Sequence, residues 1–591
     1  MYGRHRAAAA TAESVDDGPP QVRGALRDCW GAGHRTAEWD TRQGNEKGVH
    51  GDMRTSNTQR SGTRRVRIAR TMAVLAVVLL FVALVAVVAA CGSSSGGGTS
   101  SASPSAAGQP QTGGTLLVGM QAGNGQYDPV MMAGSVGDII LVCQVQENLV
   151  ELAGDFSVQP MLATKWDSAD GKTWNFELQP GVTYSNGEPF TSADVVYSFD
   201  HLKAKGSPMA DVYANIVKVV PVDDTHVTFQ LKNVDSEFPA SLTDYRAKML
   251  CKSVKDPMKE LIGTGPYTLK SFAAEDRAVL VKNPTYWRKD ASGAQLPYLD
   301  EVDFVYSPDT AGQLEGLQGG ALNWVGGLSA EQKQVVEADP NLKTITQATN
   351  YCFELQIRCD QGPGKDLAFR QALMYGTDRK AIVDLVAPGV GDPGNGTLVG
   401  PAFKAYYSTD QIPYDPAKAK ELLAQAGYSN GVDIKLIAQT ADPVPALATA
   451  WQAQMKEIGV NVSIQQVPPD VYYADKGTDN WYQAEFSFVD WGTRAAPITY
   501  FQLALTSTAP WNYSRWKNPE FDNLVTQIPQ ALDQAARADL YKQAQAILQD
   551  QVPMINFIIN LGVAGESANV GGIALNPDWA HTTFTTAYFT K

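Results

Sequence analysis

Residues 163–199 read ATKWDSADGKTWNFELQPGVTYSNGEPFTSADVVYSF, and this stretch carries several local structural signals in close succession. Trp174 to Leu178 alternate apolar and polar side chains, as a strand with one buried face does. Pro180-Gly181 is a turn dipeptide. Thr191 is followed three residues later by Asp194, a variant of the capping box that begins a helix. The stretch therefore predicts a strand, a turn and a helix in that order.

The same interleaving continues along the chain. Thr115 to Gly119 is strand-like, and Asp415-Pro416 begins a helix that Gly427 ends. Val460 to Val467 alternate as a strand does, and an amphipathic helix stops before Pro553. Helices and strands that alternate throughout indicate an α/β fold.

Length and charge narrow the class of protein further. A chain of 591 residues suits two or three domains. Acidic residues outnumber basic ones, 62 to 48, for a net charge of −14. Because binding to phosphates needs a basic surface, nucleic acid is not expected as a partner.

The six cysteines form no C-x-x-C pair, and only His201, His226 and His581 follow residue 90. No metal site and no cofactor are therefore predicted. Cys143, Cys251, Cys352 and Cys359 either pair over long distances or stay free. Cys352 and Cys359 share one strand-like segment, which when straight holds them too far apart to bond each other.

The N-terminal region looks like an export signal. Four arginines between residues 64 and 70 precede an unbroken apolar run from Met72 to Ala90. The run is long enough to be a membrane helix, which is the alternative interpretation. Val88-Ala89-Ala90-Cys91 resembles the lipobox of bacterial lipoproteins, and this resemblance implies cleavage before Cys91 and lipidation of its thiol.

The boundaries follow from these features. Residues 1–52 are interpreted as a disordered extension or a misassigned start, and residues 53–90 as the signal peptide. Residues 91–112 hold the lipidated cysteine and a flexible tether rich in Gly and Ser.

Five segments of the remaining chain, in order, resemble the bacterial extracellular solute-binding proteins of family 5, whose members take up peptides, nickel or opines. Besides residues 163–199, they are Gly263–Tyr267 with Asn283–Trp287, Phe369–Leu373 with Gly376–Arg379, Tyr414–Tyr428, and Asn512–Ser514 with Asn518–Asp522. The match covers nearly all of residues 113–560.

The resemblance implies a two-lobed periplasmic-binding-protein-like fold of type II, in its large three-subdomain variant, with a hinged cleft. Lobe I would comprise residues 113–345, including the extra subdomain, and take back residues 553–591. Lobe II would comprise residues 346–552. Such proteins bind by hinge closure, which both lobes' contacts with the solute favour.

The implied function is that of the solute-binding subunit of an ABC importer. It would capture a peptide or peptide-like solute and pass it to membrane permease subunits, as a monomer lipid-anchored on the outer face of the cytoplasmic membrane. No enzymatic activity is expected. The alternative is an envelope receptor or sensor lipoprotein that uses the same fold without transport.

The family's pocket segment lies around Trp491, and aromatic and charged side chains are dense there. Tyr472, Asp479, Trp491 and Arg494 are predicted to bind the solute. Peptide-binding members carry an acidic residue after this tryptophan, where this chain has Arg494. An arginine suits an anionic group instead, unless it is exposed or paired with Asp490.

On the lobe I side, Met131 and Met132 follow Asp128-Pro129 in the family's cleft-facing loop, although both could equally be core residues.

One motif suggests a serine hydrolase. Gly427-Tyr428-Ser429-Asn430-Gly431 fits the pattern G-x-S-x-G. A nucleophile elbow needs a strand before the serine and a helix after it, whereas here the predicted helix comes first. The hydrolase is accordingly the least favoured alternative.

Overall fold

The computed structural model describes residues 110–132, 135–474 and 480–590. The predicted extension, signal peptide and Cys91, with almost all of the tether, lie outside the described residues. Within the described ranges, no helix combines the length and apolar composition that a bilayer crossing requires.

The helices are distributed along the whole described chain. They are α1 Val136–Val145, α2 Ser192–Leu202, α3 Phe238–Ser241, α4 Thr310–Gln318, α5 Ala330–Glu337, α6 Leu367–Tyr375, α7 Arg379–Val386, α8 Pro416–Gln425, α9 Val444–Ile458, α10 Pro469–Tyr472, α11 Ile498–Tyr500, α12 Pro519–Gln527 and α13 Gln534–Gln551.

The strands alternate with these helices. They are β1 Thr115–Met120, β2 Val150–Leu152, β3 Val158–Pro160, β4 Ala163–Asp167, β5 Thr173–Leu178, β6 Ile216–Asp223, β7 His226–Leu231, β8 Tyr267–Ala273, β9 Arg277–Lys282, β10 Glu301–Tyr306, β11 Trp324–Gly326, β12 Leu342–Ile357, β13 Gly391–Pro393, β14 Val432–Gln439, β15 Val460–Val467, β16 Phe486–Trp491, β17 Met554–Ser567, β18 Val570–Gly571 and β19 Tyr588–Phe589.

A single mixed sheet of 11 strands forms the framework of the molecule. Its order is β15-β14-β16-β12-β17-β11-β1-β10-β9-β8, and β13 pairs with β17 beside this path. Strand β1 is parallel to β10 and β11, and β14 is parallel to β15 and β16. The other ladders of this sheet are antiparallel.

Two long strands connect the two ends of this sheet. The first part of β12, residues 342–348, pairs with the last part of β17. The second part, residues 352–357, pairs with the first part of β17 and also with β16. Between these ladders the register shifts, and Thr349, Asn350 and Tyr351 of β12 stand opposite Asn560 alone. A bulge of this kind locally interrupts the ladder and bends the strand.

Side chains along β12 alternate between two separate cores, as the two-residue period of a strand requires. Phe353, Leu355 and Ile357 pack in one core with helices α6, α7, α8 and α9. Cys352 packs in the other core, with Trp491 and helices α12 and α13. Both faces of this part of the sheet are therefore covered.

A smaller sheet contains the first part of the stretch 163–199. Its order is β4-β5-β7-β6. Trp174, Phe176 and Leu178 of β5 face the core, while Thr173 and Asn175 are exposed. The capping box at Thr191 and Asp194 begins α2, which packs on this sheet. The predicted strand and helix start are both confirmed.

The structure gives the state of four cysteines and the surroundings of Ser429. Cys143, Cys251, Cys352 and Cys359 are all free thiols, which selects one of the two predicted alternatives. Ser429 lies between the end of α8 and the start of β14. The order is helix, turn, strand, which is the reverse of a nucleophile elbow.

Candidate functional site

The candidate site is built around the end of β16, where the strand leaves the sheet. Trp491 is the last residue of β16, and Gly492, Thr493 and Arg494 form the turn that follows. The Tyr500 hydroxyl accepts a hydrogen bond from the Arg494 amide at 2.9 Å. It lies 3.0 Å from the Gly492 carbonyl oxygen, to which it donates. One tyrosine from α11 thus fixes the backbone of the turn.

Arg494 is half-buried in this turn. Its Nε is buried and has no hydrogen-bond acceptor in the described structure. Among residues 110–132, 135–474 and 480–590, Arg494 forms no ion pair with a carboxylate. The sequence left open an exposed Arg494 or an Arg494 paired with Asp490. In the structure Arg494 is neither fully exposed nor paired with Asp490. A guanidinium in this condition is suited to a bidentate contact with an added carboxylate.

Asp490 accepts hydrogen bonds from neighbouring side chains. Its carboxylate accepts hydrogen bonds from the hydroxyls of Tyr351, at 2.8 Å, and Tyr473, at 2.7 Å, and from the Gln439 amide, at 3.2 Å. Burial raises the pKa of the Asp490 carboxyl, while these hydrogen bonds oppose that change. Tyr351 of β12, Gln439 of β14 and Asp490 of β16 belong to this cluster. Its hydrogen bonds therefore connect three neighbouring strands of the large sheet.

Behind the turn, Trp491 is almost completely buried. Its indole N–H donates to Glu354 Oε1 at 2.8 Å. Its ring packs edge-on to that of Tyr500, with the two centroids 5.7 Å apart. Glu354 is itself buried on β12, and burial raises the pKa of its carboxyl to about 8. Trp491 is therefore held in place from two sides.

The bulge of β12 meets the turn directly. The Asn350 amide N–H donates to the Thr493 hydroxyl at 3.3 Å. The Asn350 side chain donates to the Leu398 carbonyl and accepts from the Gly400 amide, at 2.9 and 2.8 Å. A Cβ atom on Gly400 would lie 2.2 Å from Asn350 Oδ1, so this contact requires a glycine. The bulge, the loop at 398–400 and the Arg494 turn form one connected unit.

The other predicted site residues lie in different surroundings. Tyr472 is fully buried, and its hydroxyl donates to the Phe488 carbonyl in the core that also holds Trp491. Asp479 lies outside the described residues. Met131 has 47% of its surface exposed, whereas Met132 has 2% and packs in a separate core with helix α1.

The loop that carries Met131 is anchored by Asp128. The amides of Met131 and Met132 both donate to the Asp128 carbonyl. The Asp128 carboxylate lies 2.8 Å from His201 Nε2 of α2. This contact raises the pKa of the His201 imidazole. The loop is thereby fixed to the smaller sheet's helix.

Sequence reasoning missed Asn350, Tyr351 and Glu354. All three lie on β12, in a stretch that reads only as a strand. The available signal was that Asn350 and Glu354 stand next to the apolar residues of this strand, since a buried polar group needs a partner.

Two half-open cavities lie elsewhere in the molecule. One, of about 240 Å³, is lined by residues such as Gln371, Tyr375 and Asp550. The other, of about 260 Å³, is lined by residues such as Glu147, Lys248 and Arg288. Neither cavity contains a predicted site residue.

The family of bacterial extracellular solute-binding proteins, family 5 (middle part), matches residues 157–513. The chain belongs to this family, whose members are extracellular or periplasmic solute-binding transport proteins.

Similar proteins include two curated relatives. Heme-binding protein A of Haemophilus influenzae is 27% identical over 474 residues, which are 73% of this chain and 85% of the relative. Di/tripeptide-binding protein 1 of Pseudomonas aeruginosa is 27% identical over 440 residues, which are 68% of this chain and 80% of the relative.

Among solved structures, HbpA2 from Haemophilus parasuis is similar, with a TM-score of 0.70 and 25% identity. The match covers 81% of this chain and 100% of that structure. The predicted α/β periplasmic-binding-protein-like fold is confirmed.

Proposed function

We propose that this protein is the solute-binding subunit of an ABC importer and that it captures a peptide-like solute with an anionic group. The observation that carries the anionic preference is the Arg494 guanidinium, which is half-buried and has no carboxylate partner in the described structure. The family membership and a relative named for di- and tripeptides support the transport of peptide-like solutes. The protein is proposed to act without catalysis and as a monomer.

In this proposal the molecule has two lobes. Lobe I comprises residues 113–345 with 553–591, and lobe II comprises residues 346–552. Strand β12 passes from lobe I into lobe II, and β17 begins directly after the chain has returned to lobe I. The register shift at Thr349–Tyr351 gives this pair of strands a point at which to bend. The Arg494 turn contacts this point through Thr493. A solute held by Arg494 is therefore held beside the proposed hinge.

The proposed site of action is the outer face of the cytoplasmic membrane. The arginines before Met72, the apolar run to Ala90 and the lipobox-like Val88–Cys91 support export and lipid anchoring through Cys91. Permease subunits in the membrane are the proposed protein partners. The receptor alternative differs only in the partner, and mass spectrometry of the mature N-terminus would test the anchor that both share.

The experiment that tests the function is thermal unfolding of residues 110–591 with a panel of solutes. The panel holds short peptides, N-acylated peptides, C-terminally amidated peptides, oligosaccharides, opines and nickel chelates. A solute at about one hundred times its Kd stabilises the folded state by about 2.7 kcal/mol. We expect an upward shift with carboxylate-bearing peptide-like solutes and a smaller one with their amidated forms.

Arg494→Ala tests the site, and Arg277→Ala is its matched control. Arg277 lies on β9 and pairs with Asp303, at the other end of the large sheet from β16. We expect the shift to be lost in Arg494→Ala and kept in Arg277→Ala. Equal shifts in both variants would overturn the role of Arg494, and stabilisation by oligosaccharides alone would overturn the peptide-like solute.

A further inference from the structure

A buried carboxylate of lobe I reaches into lobe II at a place far along the chain from the connecting strands. Glu237 precedes α3 and has 9% of its surface exposed. Its Oε2 accepts a hydrogen bond from the Tyr541 hydroxyl of α13 at 2.6 Å. Its Oε1 lies 3.7 Å from Arg537 Nε, one helical turn earlier on α13. The adjoining Ser236 amide donates to the Pro529 carbonyl at 2.8 Å.

The Tyr541 hydroxyl also makes a hydrogen bond within lobe II. It accepts a hydrogen bond from the Ile498 amide at 3.0 Å, at the first residue of α11. Two residues later, Tyr500 fixes the backbone of the Arg494 turn. A hydroxyl that donates to Glu237 can accept from Ile498 at the same time, because it has one hydrogen and two lone pairs. Both hydrogen bonds can therefore form at the same time, and each restricts the orientation of the Tyr541 hydroxyl.

We propose that Glu237 is a positioning residue that couples closure of the two lobes to the geometry of the Arg494 turn. With the lobes together, Glu237 orients the Tyr541 hydroxyl, Tyr541 holds the start of α11, and Tyr500 of α11 holds Arg494. With the lobes apart, Tyr541 loses its acceptor in lobe I, and the start of α11 is held less firmly.

This coupling rests on the proposed two-lobed function. It adds that a contact away from the solute affects closure of the lobes. By reciprocity, a solute that orders the Arg494 turn also favours the contact between Tyr541 and Glu237. Closure then depends on a contact that does not touch the solute. Truncating Glu237 should weaken the binding of every solute that Arg494 recognises.

Hydrogen exchange of the full-length chain without solute tests the coupling independently of the solute's identity. The amides of Arg494 and Ile498 donate to tyrosine hydroxyls, so their exchange reports the integrity of the relay. We expect Tyr541→Phe and Glu237→Ala each to speed exchange in the peptide covering residues 492–500 by about tenfold. Glu237→Gln keeps an acceptor for Tyr541 and should recover most of the protection.

Glu177→Ala is the matched control, since Glu177 pairs with Lys165 on the smaller sheet of lobe I, away from α13. It should leave exchange at 492–500 unchanged. Glu237→Ala with wild-type exchange there would overturn the coupling, and so would equal acceleration in Glu177→Ala. If Glu237→Ala fails to fold, Glu237→Leu, which fills the same space but offers Tyr541 no acceptor, decides in the same way. Failure of the solute panel leaves this measurement intact, so the two proposals fail separately.

Discussion

Glu354 is an acidic side chain that the fold keeps away from water. Its Oε1 accepts from Trp491, whereas its buried Oε2 has no hydrogen-bond partner in the described structure. Burial raises the pKa of this carboxyl from 4.5 to about 8. Since the folded state holds the proton more tightly than the unfolded state, Glu354 lowers stability as the pH rises.

We therefore expect the free energy of unfolding to fall between pH 4.5 and pH 8 through Glu354. The fall is at most about 1.4 kcal/mol for each pH unit in this window. Below pH 4.5 the group is protonated in both states and adds no slope. Urea unfolding at several pH values measures this decrease in the free energy of unfolding. Glu354→Gln should flatten this part of the profile, and an unchanged slope in that variant would contradict the assignment.

Two glycines near the site give opposite expectations. A Cβ on Gly400 would lie 2.2 Å from Asn350 Oδ1, whereas one on Gly492 would meet nothing within 4 Å. We expect Gly400→Ala to lower the free energy of unfolding by about 2 kcal/mol. Gly492→Ala should change it by less than about 0.5 kcal/mol. Urea unfolding compares them, and similar losses in both would refute the steric explanation.

At the level of single residues, the sequence singled out Trp491 and Arg494 because they lie in a family segment that is dense in aromatic and charged side chains. Their contact with a solute stays a prediction. The absence of an ion pair between Arg494 and Asp490 could not be predicted, because Asp490 accepts hydrogen bonds from the hydroxyls of Tyr351 and Tyr473 instead. Those partners come from distant parts of the chain, and sequence spacing does not report them.

At the level of elements, α2 and α13 differ in how their first turns are held. Asp194 of α2 is fully buried and accepts from the Thr191 amide, the Thr191 hydroxyl and the Lys252 amide. Asp533 before α13 is exposed and, within the part of the chain that the structure describes, accepts only from the Ala536 amide.

We expect Asp194→Ala to cost about 3 kcal/mol, because it leaves several part-buried donors of Thr191 and Lys252 without an acceptor. Asp533→Ala should cost about 1 kcal/mol, the usual value of a helix cap. Thermal or urea unfolding of the two variants measures the difference. Equal costs would show that Asp194 acts as a simple cap.

Elements with local signals were predicted well. The predicted strand from Val460 to Val467 has those bounds in the structure, and the helix from Asp415 ends before Gly427 as expected. The bulge in β12 was not predicted, because it arises from pairing with β17, about 200 residues away. Register between distant strands leaves no local pattern in either one.

At the scale of the whole molecule, β17 occupies the interior of the large sheet. It pairs with β11, β12 and β13, and its first six residues are all buried. We expect a chain that ends at Val552 to show no cooperative unfolding transition, because the sheet would be split along its middle. A chain that ends at Phe589 should unfold like the complete protein. Circular dichroism during heating distinguishes them, and a cooperative transition in the shorter chain would contradict this expectation.

The late position of β17 also has a consequence for biosynthesis. The ribosome must synthesise all the other strands of the large sheet before Met554–Ser567 can enter it. At roughly 5–20 residues per second, synthesis of the body takes on the order of half a minute or more. During that time the large sheet stays incomplete, whereas all four strands of the smaller sheet have already been synthesised. For a protein proposed to be exported, the order of the strands thus delays completion of the large sheet until a late stage of synthesis.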